Sequence, residues 1–286
     1  MAAAIEVRGL SKDYGSFKLD NVSLTVPGGS ILGLIGENGA GKSTTIKCIL
    51  GLIARDSGEI TLLGGDNPRE ARAAREEIGV VLDEGNFHDA LKAREVGKIL
   101  SKVYRTWDST LFTHYLQKFS LPEGKLVKEF SRGMKMKLSI AAALAHRPRL
   151  LILDEATSGL DPVVRSELLD EFLDFIQDED HAILLSSHIT SDLEKVADYI
   201  TYLHAGKVAL SGVKDELLET HGRLVCGRSD LERVDKALLS GIRTSQFGCE
   251  ALVKDRRAFA RRYPGLTVDS VTLEEIMVLT VKGDAV

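Results

Sequence analysis

The chain opens with residues that alternate between apolar and polar. Ile5-Glu6-Val7-Arg8-Gly9-Leu10 and Val22-Ser23-Leu24-Thr25-Val26 have the period-two pattern of half-buried antiparallel strands. Pro27-Gly28-Gly29 then reads as a turn. After it the pattern changes. Residues 31–35, 150–153 and 182–185 are short unbroken apolar runs, each followed by polar residues. Central strands of a parallel sheet, covered on both faces, look like this. Ile60-Thr61-Leu62-Leu63 predicts one more short strand. Residues 44–50 suit a helix, and residues 91–146 carry a mostly helical pattern broken at Leu121-Pro122-Glu123-Gly124. The whole predicts an α/β core preceded by an antiparallel β portion and interrupted by a helical portion. Composition shifts near residues 215–222. The expected division is therefore a main domain, 1–221, and a small α+β extension, 222–286, in which Arg223-Leu224-Val225-Cys226 alternates. No internal repeat or low-complexity segment is evident.

The polar residues just after the apolar runs lie at strand C-terminal ends, where open α/β sheets bind ligands. The first such stretch is Gly36-Glu37-Asn38-Gly39-Ala40-Gly41-Lys42-Ser43-Thr44, a complete G-x-x-x-x-G-K-[ST] P-loop. Its glycines let successive backbone amides approach phosphate oxygens. Lys42 is suited to reach the β- and γ-phosphates, and the Ser43 hydroxyl to meet Mg²⁺. A strand before it and a helix after it complete the context of an anion cradle. Gly36, Asn38, Gly39, Gly41, Lys42, Ser43 and Thr44 are thus the candidate ATP contacts. The second stretch is Asp154-Glu155, after residues 150–153. Asp154 suits the Mg²⁺ partner. Glu155 suits the group that orients or deprotonates an attacking water.

Composition narrows the setting. The 286 residues are 44% hydrophobic and 28% charged, ordinary for a globular protein, and no apolar run approaches the ~20 residues that span a bilayer. The N-terminus lacks a basic region followed by an apolar core, so no secretory signal is expected. Cys48, Cys226 and Cys249 are odd in number and far apart, which indicates neither a disulfide framework nor a zinc site and fits a reducing cytoplasm. A net charge of −5 gives no bulk attraction to nucleic acid, and none is expected as a partner. Lys254, Arg256, Arg257, Arg261 and Arg262 have helical spacing; a solvated face and a binding surface are both open. His88, His114, His146, His181, His204 and His221 have no ligand spacing.

Three further segments fall into one order with the P-loop and the acidic strand: Phe130-Ser131-Arg132-Gly133-Met134, Ser158-Gly159-Leu160-Asp161, and Ser186-Ser187-His188. The set resembles the nucleotide-binding subunit of ABC transporters over about three quarters of the chain, residues 3–215. In that family's terms residues 36–44 look like Walker A, 150–155 like Walker B, 130–134 like the signature motif, 158–161 like the D-loop, and His188 like the switch histidine. The resemblance implies a P-loop NTPase core with an antiparallel β-subdomain and a helical subdomain. It implies Glu155, His188 and Lys42 as catalytic residues. Ser131, Gly133 and Asp161 would be nucleotide contacts, and Tyr14 an aromatic stacked on adenine. It further implies two subunits, identical or paralogous, closing head to tail around two ATP molecules. They would drive a separate membrane permease from the cytoplasmic face. The motif wording resembles bacterial exporter-type systems. A non-transport member acting on ribosomes or DNA is the alternative. The single P-loop and the lack of heptad arrays or a Cys cluster speak against it.

Three segments depart from the family pattern. The usual Leu-Ser-Gly-Gly-Gln is Phe130-Ser131-Arg132-Gly133-Met134 here, and Arg132 either projects into solvent or adds a cation near the partner-bound nucleotide. The usual glutamine after residues 78–82 is Asp83, a candidate metal ligand, unless Glu84 holds that place. The proline after the Walker B glutamate is Ala156.

Overall fold

The computed structural model describes residues 3–65, 74, 76–82, 87–246 and 248–282. Asp83 and Glu84 lie outside the described residues. The chain forms two compact units, Met1–Val208 and Ala209–Val286. The break comes earlier than the 221/222 junction that composition suggests.

In the first unit the alternating segments form an antiparallel sheet. Strands β1 (Ala3–Asp13), β2 (Lys18–Pro27) and β4 (Ser57–Leu62) lie in the order β2-β1-β4, with Val7 opposite Leu24 on one side and Ile60 on the other. From Val22 to Val26 every second side chain of β2 is buried, as the alternation requires.

The unbroken apolar runs form the second sheet. Its strands are β3 (Ser30–Ile35), β5 (Ile78–Val81), β6 (Leu150–Asp154), β7 (Ala182–Ser187), β8 (Tyr199–His204) and β9 (Lys207–Val213), ordered β5-β6-β7-β3-β8-β9. Pairing is parallel from β5 through β6, β7 and β3 to β8. Every residue of β3, β6 and β7 is buried. Ile5, Leu34, Ile152 and Leu184 belong to one core that joins the two sheets. Each such side chain contributes about 1.5–3 kcal/mol by leaving water. The register sets Asp154 beside Ser186 and Ile35 beside Ser187, so three strands deliver their polar ends to one edge.

Helix α1 (Lys42–Ile49) follows β3. The helical stretch resolves into α2 (Ala93–Leu100), α3 (Ser109–Lys118) and α4 (Arg132–Leu144), with the expected break at 121–124 between the last two. Both α2 and α3 pack on α4. Helices α5 (Pro162–Phe175) and α6 (Thr190–Val196) complete this unit.

The second unit holds α7 (Lys214–Thr220), β10 (Gly222–Cys226), α8 (Arg228–Leu231), β11 (Leu239–Ser245), β12 (Gly248–Val253), α9 (Arg256–Arg262), β13 (Val268–Asp269) and α10 (Leu273–Lys282). From β10 the order is β-α-β-β-α-β, and the antiparallel sheet runs β11-β12-β10-β13, a split β-α-β arrangement. Leu224, Leu239, Ala251, Val253 and Phe259 form its core. Helix α9 turns Phe259 inward and exposes Arg257, Arg261 and Arg262; Arg257 pairs with Glu219, and Arg262 with Asp235 at 3.1 Å. Cys226 and Cys249, far apart in sequence, face each other across β10 and β12 as free thiols.

Candidate nucleotide-binding site

The P-loop occupies the crossing from β3 to α1, where close packing enforces glycine. A Cβ on Gly36 would lie 2.7 Å from the Leu203 carbonyl oxygen; at Gly41, φ is 110° and a Cβ would lie 2.9 Å from Leu19. The turn between β8 and β9 braces the loop: the Gly206 amide donates to Ala40 O at 3.1 Å, while Gly206 O accepts from the Asp20 amide at 2.8 Å. Pattern reading alone does not reveal Gly206 as part of this support.

Lys42, only 5% exposed, points its ammonium into the loop. It donates to the carbonyl oxygens of Gly36 at 2.6 Å and Glu37 at 3.3 Å and forms an ion pair with Glu155 Oε1 at 3.0 Å. Thr45 Oγ1 donates to Gly41 O at 2.9 Å, tying the loop to the first turn of α1. The leading amides of that helix have no partners within it, so the helix end is favourable for an anion. Ser43 and Thr44 are half-buried there, and Asn38 and Gly39 are exposed.

Glu155 adopts φ 54°, in the left-handed region, which costs a non-glycine residue about 1 kcal/mol or more. Its amide is held by Ser186 O at 3.2 Å and Ser186 Oγ at 3.1 Å. This bend aims the carboxylate at two partners. Oε1 meets Lys42, and Oε2 meets His188 Nδ1 at 2.6 Å. An ionised carboxylate only accepts, so Nδ1 carries the proton and donates, leaving Nε2 for another contact. His188 is the exposed member of the set, at 41%. Asp154, 4% exposed, accepts from Ser186 Oγ at 2.6 Å. Ser186 therefore touches both acidic residues. Its only sequence signal is its place at the end of β7, two residues before His188.

Lys42, Asp154, Glu155, Ser186 and His188 thus form one connected set. The remaining predicted contacts stand apart from it. Ser131 is the N-cap of α4, with Oγ accepting from the Met134 amide at 3.2 Å. Gly133 faces Val164. Asp161 caps α5, accepting from the amides of Val163 and Val164 at 3.1 Å each. No hydrogen bond or ion pair among the described residues joins Ser131, Gly133 or Asp161 to the Lys42 set. Tyr14 is 51% exposed, with Lys12 Nζ 5.6 Å from its ring centroid. Lys12 is itself fixed by Asp56 at 2.7 Å, a bond that raises its pKa.

The family model described as ABC transporter matches residues 19–158. The chain is 38% identical over 210 residues to the lantibiotic transport ATP-binding protein SrtF of Streptococcus pyogenes, covering 72% of this chain and 89% of that one. It is 37% identical over 211 residues to the bacitracin transport ATP-binding protein BcrA of Bacillus licheniformis, covering 73% and 69%. The chain belongs to the ATP-binding subunits of ABC transporters. A solved ATP-binding subunit of an ABC transporter matches the fold at a TM-score of 0.68 with 30% identity, over 75% of this chain and 91% of that one. As an ABC ATPase, the protein binds nucleotide and hydrolyses ATP. Its candidate contacts for the P-loop nucleotide converge at the shared edge of β3, β6 and β7, the position argued from the sequence pattern.

Proposed function

We propose that this ABC ATPase powers export through a separate permease at the cytoplasmic face of the membrane, working as a head-to-tail dimer. The observation that carries this reading is the unequal completeness of the site. Lys42, Glu155 and His188 are already interlocked within one chain. Ser131 and Gly133 sit at a helix N-terminus, and among the described residues no hydrogen bond or ion pair joins them to that set. A second subunit would bring its own Ser131 and Gly133 to this chain's nucleotide. Relatives named for transport of bacitracin and lantibiotics, and for Nod factor export, support the direction. Among the described residues no helix is long and apolar enough to cross a membrane.

Mg²⁺ would supply charge neutralisation on the phosphates. The donors fit a hard cation: the Ser43 hydroxyl and the Asp154 carboxylate, whose other oxygen is oriented by Ser186. Among the described residues no three His, Cys, Asp or Glu side chains are grouped to hold a metal by themselves, so the ion would depend on nucleotide phosphates. Asp83 remains a proposed further ligand. Within this scheme Glu155 orients the attacking water, His188 holds Glu155, and Tyr14 stacks on adenine.

Mixing tests the two-chain site. Ser131→Arg and Lys42→Ala chains should each be nearly inactive. Mixed in equal amounts, about a quarter of wild-type ATPase activity should return, because half the dimers are mixed and each has one complete site. No recovery, with mixed dimers shown to form, would reject composite sites. Capture of an apolar partner from detergent-solubilised membranes of the native cell tests the permease.

A further inference from the structure

The signature segment carries Arg132 where the family pattern has glycine, and the fold gives that side chain a specific seat. Arg132 is the first residue of α4, directly after its cap Ser131. Its guanidinium lies against Gly159, in the turn between β6 and α5. A Cβ built on Gly159 would fall 2.6 Å from Nη1, 3.0 Å from Cζ and 3.5 Å from Nε. Gly159 has φ 66°, a backbone conformation that disfavours any side chain, and a Cβ there would have to displace the guanidinium. Beside this contact, Gly133 packs on Val164 of α5. The start of α4 therefore rests on residues 159–164 along a seam.

That turn begins at Glu155. The Ser158 amide donates to Glu155 O at 3.0 Å, and the Leu160 amide to Thr157 O at 3.5 Å. Arg165 Nη2 holds Leu160 O at 3.1 Å from the other side. Ala156, Thr157 and Leu160 are buried. With the turn pinned at Leu160 and packed inside, a push on Gly159 is passed towards Glu155 rather than absorbed.

We propose that Arg132 is a positioning residue: a strut within one chain that ties the segment contacting the partner's ATP to the turn that aims Glu155 at the chain's own ATP. The proposal rests on the head-to-tail reading above. A planar guanidinium packs on a bare glycine in a way that the ammonium of lysine does not. The glycine of the family pattern has no such arm.

In the homodimer, Arg132→Ala should lower kcat about tenfold and leave KM for ATP within about twofold, since the defect is misplacement of Glu155 and not lost binding. Arg132→Lys should not restore kcat; full restoration by lysine would mean that charge alone matters and would overturn the strut. Gly159→Ala should also lower kcat. On the Arg132→Ala background it should cost clearly less than it does alone; full additivity overturns the contact as the cause. Doubly tagged mixed dimers, one chain carrying Lys42→Ala, decide the direction of action. Arg132→Ala in the chain with intact Lys42 should slow the single working site, and in the Lys42→Ala chain it should not. The reverse pattern, or equal loss in both placements, overturns the proposal. A mixed dimer inactive before any change at Arg132 would reject the head-to-tail reading instead, and the proposal with it, because the strut would then have no partner-bound ATP to sense.

Discussion

The two halves of this nucleotide site differ in how far a single chain has finished them. Around Lys42, buried charges are matched in pairs: ammonium to carboxylate, carboxylate to imidazole, and serine hydroxyl to the second acid. Around Ser131, the helix start is exposed, and the Ser131 hydroxyl caps it by accepting from the Met134 amide. The contrast follows from desolvation. A buried ion left without its partner costs several kcal/mol, so charges placed behind the P-loop need partners within the same fold. A helix end that stays in water bears no such penalty and can wait for an anion held by another molecule. The fold thus separates a permanent half from a conditional one.

Breaking the permanent half should have the largest effect. Glu155→Gln keeps the shape but removes the charge facing Lys42 and His188. ATPase activity should fall at least ~100-fold while MgATP still binds, and dimers should accumulate on size-exclusion chromatography in MgATP. A fully active variant would move the water-orienting role to another residue. An exposed contact should give a smaller and different signature. Tyr14→Ala should raise KM for ATP about tenfold, as loss of one stacked base predicts, with kcat within about twofold and Phe restoring the wild-type value. Equal KM values would leave Tyr14 an ordinary turn residue held by Lys12.

Smaller still are the two helix caps, which sharpen the comparison because they do the same local job. Ser131→Ala and Asp161→Ala should each lower unfolding free energy by about 1 kcal/mol in urea titrations. Their ATPase losses should separate from their stability losses, with Ser131→Ala losing activity through the partner's site. If activity tracks stability equally in both variants, Ser131 is a cap and nothing more.

What was legible in the sequence is what lies close along it. Residues 36–44 and 154–155 carry their chemistry in contiguous stretches. The parallel strands that aim them announce themselves as unbroken apolar runs, so the fold class and the Lys42, Asp154 and Glu155 positions could be read directly. Ser186 could not. The two hydrogen bonds of its hydroxyl depend on β7 lying beside β6 in a register that sets it opposite Asp154. The Gly206 brace arises from the hairpin of β8 and β9 folding back on the P-loop, and the Arg132 contact from the seam between α4 and α5. The facing of Cys226 and Cys249 arises in the same way, since β11 intervenes in sequence between two strands that pair in space. Local pattern yields elements and motifs; the groups that orient a motif come from pairing between distant elements.

The far end of the signature helix supplies the last test. Just past α4, opposite the exposed Ser131 end, His146 is 1% exposed, stacked on Tyr104 at 4.1 Å between ring centroids, with Nε2 3.2 Å from Ile78 O on β5. Burial lowers its pKa below 6.5, because the charged imidazolium is disfavoured there more than the Ile78 carbonyl supports it. The unfolded chain therefore takes up a proton at a higher pH than the folded chain. Stability from this group is complete above pH 6.5 and is lost as pH falls towards the lowered folded value. For one proton the slope cannot exceed about 1.4 kcal/mol per pH unit. Urea midpoints should fall between pH 7.5 and 5.5, a window above the titration of the paired carboxylates, and the fall should be smaller in His146→Gln. Because His146 anchors α4 to β5, the loosening should also appear as faster hydrogen exchange in residues 138–144 before the Ser131 end changes. Parallel midpoints for wild type and variant across that window would mean that the anchored end is held by packing alone, without a contribution from the protonation state of His146.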